Sequence, residues 1–228
     1  MIVYPSVLPP NAKAFNFTSS RAYNPQNDIL LSVEYCISGH SLTEAGISFF
    51  ITGDDTFTGG VSGADLSYSG YYLSAQQGVS NAIVGIGIDS TGVFGLSATG
   101  RDGLNESDII PNSIAARGGS TDYFSMSAFN NYYRAISSFN IVDNNTQPKA
   151  LRFRLGDIGR SMYLDYKHDL DGCYENIARV DIGDLFGIVP ASDTFYRIGM
   201  GFTTPVSANN ANAVADFYFR TVHVEGLV

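Results

Sequence analysis

The sequence lacks the features that mark several large classes of protein. It has no tryptophan and only two cysteines, Cys36 and Cys173, so it is not a disulfide-rich secreted scaffold. Because Cys36 lies in the apolar run ILLSVEYCI, we expect two buried thiols, with one disulfide as the alternative. No window approaches the roughly 18 apolar residues of a membrane helix, so no membrane insertion is expected.

Positive charge is also scarce. The chain has 13 Lys and Arg against 22 Asp and Glu, a net charge of −9. Nucleic-acid binding needs clustered Lys and Arg to neutralise phosphates, and the sequence has no such cluster, so nucleic acid is not an expected partner. The opening MIVYPSVLPPNA lacks the basic and apolar regions of a signal peptide, which predicts synthesis in a cytoplasm without an export signal.

The residues that are abundant favour strands and turns: 15 Phe, 14 Tyr and 24 Gly. Apolar residues often alternate with polar or small ones, as Leu151, Phe153 and Leu155 do with Arg152 and Arg154. No stretch of a dozen residues has a helical period, so helices should be few and short. The predicted strands are Ile29–Ile37, Gly46–Thr52, Ala82–Asp89, Val93–Ala98, Ser113–Arg117, Ala150–Leu155, Ser161–Lys167, Tyr196–Thr203 and Ala215–Val224.

These strands predict an all-β domain built from two packed antiparallel sheets. Residues 1–14 contain three prolines and are predicted to form an extended arm, followed by one domain over 15–228. The segments LGDIGR and HDLDGC are predicted hairpin turns. We expect Phe49, Phe50 and Phe202 to share one interior, and the final strands to lie next to the early ones.

Five segments in this order resemble the L-type lectin-like, or concanavalin A-like, family over roughly residues 12–226. Each resembles a strand or loop of that family, including its Phe-Phe strand, its Gly loop and its closing strand pair. They are EAGISFFITG, the loop Gly59–Gly63, NAIVGIGIDSTGVFGL, PNSIAARGG and RIGMGFTTPVSANNANAVADFYFRTVHVEG. The resemblance implies a jelly-roll sandwich of one flat and one curved sheet, with a sugar site in the loops over the concave side.

At the sugar site the sequence departs from the pattern of the family that it resembles. Ala45 occupies the place of the family's sugar-binding Asp, with Glu44 beside it, and Gly87 occupies the place of a metal-binding Glu. Asp89 is retained, but the loop after it is short and lacks the Asn and Asp that complete the calcium and manganese shells. Calcium needs about 6–8 oxygen ligands, so neither a metal nor another cofactor is expected.

The candidate glycan-binding residues lie in the loops that the resemblance assigns to the sugar site. They are Glu44, Gly60, Asp65, Tyr68, Tyr71, Tyr72 and Asp89. For the tyrosines the alternative is that at least two of them pack against the sheet. Arg117 is predicted to form a structural ion pair with Asp89, with Asp102 as the other candidate partner and ligand contact as the alternative role.

No catalytic residue is predicted. Glycosidases of this fold place two or three carboxylates at every second residue of one strand, whereas VGIGIDST supplies a single Asp. His40, His168 and His223 are isolated and lack metal-ligand spacing, and Asp169 and Asp171 are better explained by a hairpin turn than by calcium.

Two functions stay open at this point. The segment PNSIAARGG, the proline-rich arm and the acidic surface resemble lectin-like proteins of marine phages. We therefore expect a lectin-like protein of the virion surface, such as a capsid decoration, head fibre or tail fibre. Its expected partners are other virion structural proteins and a cell-surface glycan bound without metal, and homo-oligomerisation is left open. The alternative is a free carbohydrate-binding lectin.

Overall fold

A computed structural model describes about half of the chain in detail. The described residues are 14–18, 27–39, 46–53, 68, 78–79, 82–89, 94, 113–118, 128–135, 148–157, 161–167, 170–181, 197–203 and 215–227. Over these ranges the protein consists of β-strands and turns, without a helix. None of these residues therefore forms a helix of the length and apolar content of a membrane span.

Eleven strands account for most of the described residues. In chain order they are β1 (Ala14–Thr18), β2 (Asp28–Gly39), β3 (Gly46–Thr52), β4 (Ala82–Asp89), β5 (Ser113–Gly118), β6 (Ala128–Ala135), β7 (Lys149–Gly156), β8 (Ser161–Lys167), β9 (Glu175–Asp181), β10 (Arg197–Thr203) and β11 (Ala215–Leu227). The strands predicted at Gly46–Thr52, Ala82–Asp89 and Ser161–Lys167 have the predicted bounds. The predicted strand Val93–Ala98 lies outside the described residues, apart from Phe94.

The strands form two antiparallel sheets. One has six strands in the order β1-β10-β3-β4-β5-β6, and the other has five in the order β11-β2-β7-β8-β9. The last two strands lie beside early ones, since β10 pairs with β1 and β3 while β11 pairs with β2. This confirms the predicted all-β, two-sheet sandwich and the predicted closure of the fold by its final strands.

The main core lies between the two sheets. Phe49 of β3 stacks on Phe153 of β7, with ring centroids 5.8 Å apart and planes 13° from parallel. Within the six-stranded sheet, Phe49 lies between Met200 of β10 and Ile86 of β4, and all of these side chains are fully buried. Burying a side chain of this size contributes about 1.5–3 kcal/mol each, so this row is a major source of stability.

The expectation that Phe49, Phe50 and Phe202 share one interior was wrong. Successive residues of a strand point to opposite faces, so Phe49 faces the other sheet and Phe50 faces away from it. Phe50 is nevertheless fully buried, because a second apolar layer covers that outer face. The second layer consists of Phe50, Tyr68, Val79, Ala82, Phe94 and Ala115. Phe202 lies opposite Ile47 in the register, and its side chain lies outside the described part of the structure.

The outer face of the five-stranded sheet is largely open to solvent and carries stacked cations and tyrosines. The Arg152 guanidinium lies 3.6 Å from the ring centroid of Tyr174, and that of Arg154 lies 4.3 Å from the Tyr163 ring. Arg179, whose side chain is 60% exposed, pairs with Asp157 at 3.4 Å. Such exposed contacts are worth little individually, and this face supplies suitable sites for control substitutions.

The two cysteines are free thiols, as expected, but they are not both buried. Cys36 is half-buried, because its neighbour Tyr35 takes the inward direction on β2 and Cys36 faces outward. Cys173 is exposed in the connection between β8 and β9. The predicted burial is therefore wrong for Cys173, since a hairpin connection runs over the surface.

Candidate functional site

The end of the six-stranded sheet marked by Gly46, Asp89 and Ser113, its candidate edge, brings together two connections that carry predicted site residues. Gly46, the first residue of β3, lies between Thr203 of β10 and Asp89 of β4, and Asp89 lies beside Ser113 of β5. Neighbouring strands are about 4.8 Å apart, so this row spans roughly 15 Å. The connection that contains Glu44 therefore ends beside the start of the one that follows Asp89. The connection between β3 and β4, which contains Gly60 and Tyr72, joins the opposite end of the sheet at Thr52 and Ala82.

Asp89 is the only carboxylate of this row, and it is buried, with 2% of its surface exposed. Its Oδ2 accepts a hydrogen bond of 2.7 Å from the backbone N–H of Phe94, five residues further along the chain. A buried carboxylate must be compensated by donors of this kind, and a bond to an ionised acceptor is stronger than a neutral one. Asp89 therefore holds the turn that leaves β4.

The second layer anchors both the turn after Asp89 and the connection between β3 and β4. The ring of Tyr68, which belongs to that connection, lies 5.9 Å from the Phe50 ring and 6.2 Å from the Phe94 ring. The Tyr68 carbonyl accepts a bond of 2.9 Å from the Val79 N–H. Segments from two connections thus pack on each other and on the outer face of the sheet.

A glycine makes room for the Tyr68 ring. A Cβ atom added at Gly85 of β4 would lie 2.7 Å from the Cζ atom of Tyr68. A side chain of any size at this position would therefore push Tyr68 off the sheet. Close packing of the Tyr68 ring on the sheet is therefore the role of Gly85.

Tyr68 and Asp89 are the predicted site residues whose side chains the structure describes. Tyr68 is fully buried, which fits the packing alternative given for the tyrosines, and Asp89 is buried as the anchor of its turn. The remaining candidates lie outside the described residues and stay predictions. They are Glu44, Gly60, Asp65, Tyr71 and Tyr72.

The predicted ion pair between Asp89 and Arg117 also stays a prediction. Arg117 lies opposite Gly85 in the register, whereas Asp89 lies opposite Ser113. These positions are four residues apart, or about 13 Å along the strands. An ion pair would require the arginine side chain to extend along the sheet toward Asp89.

Sequence reasoning missed the roles of Phe50 and Phe94. The available signal was the pleat itself, because a Phe-Phe pair in a strand must place one ring on each face. Phe94 carried a weaker signal, since an Asp followed five residues later by an aromatic residue does not by itself predict a hydrogen bond. Only the return of the chain after Asp89 brings the Phe94 amide to the carboxylate.

The described residues around Asp89 do not fit the metal site that the resemblance implies. Gly87, which has no side-chain oxygen, lies between Ser48 and Ala115 in the sheet. Calcium takes about 6–8 oxygen ligands, and this neighbourhood supplies one carboxylate, which already accepts from Phe94. Within the described ranges, no group of three or more His, Cys, Asp or Glu could hold a metal ion.

Comparison with known proteins finds no match among family models and none among curated sequences. Solved structures do match. A Bauhinia forficata lectin in complex with GalNAc has 14% identity and a TM-score of 0.56, covering 92% of this chain and 78% of the lectin. Basic winged bean lectin with Tn-antigen has 13% identity, a TM-score of 0.59 and the same two coverages, 92% and 78%. The chain has the concanavalin A-like lectin fold.

The same fold recurs outside the legume lectins. A variant of the Emp46p carbohydrate recognition domain matches with 12% identity and a TM-score of 0.54, covering 94% of this chain and 78% of that domain. At these identities the likeness establishes the fold alone. In this concanavalin A-like chain, the Gly46, Asp89 and Ser113 edge of the six-stranded sheet remains the candidate site, because buried polar groups and predicted binding loops meet there.

Proposed function

We propose that this chain is a carbohydrate-binding protein of lectin type, and that it binds glycan without a metal through the connection that contains Glu44 and the connection between β3 and β4, whose Tyr68 packs over Gly85. The observation that carries the proposal is the fold, which it shares over 92% of its length with lectins crystallised with GalNAc and with Tn-antigen. A fold alone does not specify a function, so the residues of these connections must supply the rest of the argument.

The proposed glycan contacts are Glu44, Gly60, Asp65, Tyr71 and Tyr72. Carboxylates accept hydrogen bonds from sugar hydroxyls, and tyrosine offers an apolar ring face with a polar end. Small-molecule sites commonly combine aromatic walls with a few placed polar groups, and this set has that composition. Tyr68 and Asp89, which are buried, would support these loops from beneath and not touch the sugar.

An enzymatic role is not proposed. Glycoside hydrolysis uses two carboxyl groups roughly 5–9.5 Å apart, one as acid and one as base or nucleophile. On the described part of β4, Asp89 is preceded at two-residue intervals by Gly87 and Gly85, which have no ionisable group. The Bauhinia forficata and winged bean proteins that share the fold are lectins, which agrees with a binding role at the level of the fold.

We place the protein on the surface of a virion, where glycan binding would attach the particle to a host cell. The support is the resemblance of PNSIAARGG and of the proline-rich first residues to lectin-like proteins of marine phages. Other virion structural proteins would then be its permanent partners. The second candidate, a free lectin, is favoured by the likeness to lectins, which needs no particle.

A glycan array tests the binding proposal. The purified chain is applied in buffer with EDTA and again with added Ca²⁺ and Mn²⁺, and we expect the same glycans to be retained in both. Glu44→Gln and Tyr72→Ala should each lower retention at least tenfold. Arg179→Ala on the outer face of the five-stranded sheet is the matched control and should leave retention unchanged. No binding to any glycan, or binding only with metal, would contradict the proposal.

The virion location needs a separate experiment. Mass spectrometry of purified phage particles from a source that encodes this chain should detect it at a fixed ratio to the capsid protein. Its absence from particles, together with glycan binding by the isolated chain, would support the free lectin instead.

A further inference from the structure

We infer that Asp89 is a positioning residue that fixes the glycan-binding loops by holding the Phe94 amide, a task that the implied metal would otherwise perform. That the positioned loops bind glycan rests on the proposed function, whereas the structural role of Asp89 rests on the geometry of the described residues alone. It assigns a role to the retained carboxylate, whose usual metal partner Glu is replaced by Gly87.

The hydrogen bond between Asp89 and the Phe94 amide is short and buried. The Oδ2 atom of Asp89 lies 2.7 Å from the Phe94 nitrogen, which is short for an N–H···O bond and within the range of charge-assisted ones. Asp89 is 2% exposed, so water competes little for this acceptor. The bond therefore ties the end of β4 to a residue five positions further along the chain.

The ring of Phe94 connects this hydrogen bond to the second layer. It is fully buried in the second layer and lies 6.2 Å from the ring of Tyr68. Tyr68 is in turn held over Gly85 and through its carbonyl by the Val79 N–H. The hydrogen bond to Asp89 therefore fixes the entry of Phe94 into a layer that also anchors the connection carrying Gly60, Asp65, Tyr71 and Tyr72.

A backbone amide here takes the place that a metal ion would have beside Asp89. A metal ion fixes a loop by drawing several oxygen ligands toward one point, and it requires carboxylates or carbonyls around that point. The residues next to Asp89 on the outer face are Gly87, Ser48 and Ala115. They provide one hydroxyl and no second carboxylate. A donor from the protein's own backbone satisfies Asp89 without any of those ligands.

Amide hydrogen exchange followed by NMR tests the inference directly. In the unmodified chain, the Phe94 amide should be protected at least a hundredfold relative to an unstructured amide, and EDTA or added Ca²⁺ should leave its protection unchanged. Asp89→Asn keeps an acceptor oxygen and should retain much of the protection. Asp89→Ala should lose it. Asp165→Asn on the outer face of the five-stranded sheet is the control and should leave Phe94 unaffected.

Glycan affinity provides the second readout. Asp89→Asn should bind within about tenfold of the unmodified chain, with or without EDTA, whereas Asp89→Ala should lose binding. If Asp89→Ala does not fold, the comparison of Asp89→Asn with the unmodified chain still decides the point. An unprotected Phe94 amide, or one protected only when Ca²⁺ is present, would overturn the inference.

The two proposals fail in distinguishable ways. If the chain binds no glycan but the Phe94 amide is protected with and without EDTA, the proposed function is refuted and the positioning role of Asp89 stands. Glycan binding combined with an unprotected Phe94 amide would do the opposite.

Discussion

At the scale of residues, the outer face of the six-stranded sheet depends on glycines that lie under aromatic rings. Gly199 of β10 lies opposite Phe50 in the register, and an added Cβ would overlap the Phe50 ring. An added Cβ at Gly85 would overlap the Tyr68 ring in the same way. The glycine that usually weakens a strand is therefore required here for close packing.

Gly199→Ala should destabilise the fold by about 1–3 kcal/mol, the usual cost of forcing an extra atom into a packed core. Gly53→Ala is the matched control, because Gly53 is exposed and an added Cβ there has nothing within 4 Å. Urea denaturation of both variants measures the difference. Equal stability of the two variants would show that Phe50 moves aside without cost.

The hydroxyl of Tyr35 makes a second prediction at this scale. Tyr35 is fully buried between the sheets, its hydroxyl has no hydrogen-bond partner among the described residues, and burial raises its pKa well above the ordinary value. Because an unsatisfied buried polar group costs about 1–3 kcal/mol, Tyr35→Phe should raise the free energy of unfolding by about 1 kcal/mol. A loss of stability in thermal unfolding would mean that the hydroxyl has found a partner.

At the scale of elements, the hairpin of β7 and β8 is tied to β9 by one acidic residue. Asp157, in the hairpin turn with a φ of 56°, accepts a 2.5 Å bond from the Tyr163 hydroxyl and pairs with Arg179. The Tyr163 bond, followed by one from Ser161, lowers the pKa of Asp157. The same bond, followed by desolvation, raises the pKa of Tyr163.

These shifts predict how the bond depends on pH. The lowered pKa of Asp157 means that its stabilisation is complete above the ordinary carboxyl pKa and is lost as pH falls through the lower native value. The raised pKa of Tyr163 means that its stabilisation is complete below the ordinary tyrosine pKa and is lost as pH rises through the higher native value. The stability lost in Tyr163→Phe should therefore be constant near neutral pH and shrink at both extremes.

Denaturation of Tyr163→Phe and the unmodified chain from pH 2 to pH 11 measures this difference. Tyr35→Phe is the control in the acid range, because no carboxylate among the described residues bonds to its buried hydroxyl. A difference that is flat over the whole range would contradict the coupling of Tyr163 to Asp157.

The elements also show how far the sequence predicts the fold. Strands with strong alternation or apolar runs, such as β3, β4 and β8, were located to the residue. Three strands were missed: β1, β6 and β9. Their sequences, AFNFT, AFNNYYRA and ENIARVD, are short or polar and lack a long apolar alternation, and each strand lies at the edge of a sheet.

At the scale of the whole molecule, β11 is the exposed edge of the five-stranded sheet and pairs with β2 alone among the described strands. Val222 of this strand is 39% exposed, although its cross-strand neighbour Val33 is 1% exposed. A long edge strand with an open apolar side chain is a ready template for pairing with another chain. If the protein forms a homo-oligomer, as the sequence left open, β11 is the expected contact.

Sedimentation over a range of concentrations tests this association. The unmodified chain should self-associate at high concentration, and Val222→Glu should shift it toward the monomer, because charged edge residues prevent strand pairing. Glu175→Lys changes the charge on β9, the opposite edge of the same sheet, and should have no such effect. A monomer at every concentration, or equal effects of both variants, would rule out pairing through β11.

The sequence by itself determined the class of fold, because alternation, turn residues and the absence of helical periods are local properties of the chain. Through the resemblance it also predicted what the site lacks, since the side chains of Ala45 and Gly87 supply neither a sugar-binding carboxylate nor a metal ligand. Only the tertiary structure decided that Phe50 and Tyr68 build a second layer, and that Asp89 holds the Phe94 amide beside that layer. Those facts depend on which strands become neighbours and which loops fold back over a sheet, and contacts between distant segments leave no local pattern in a sequence.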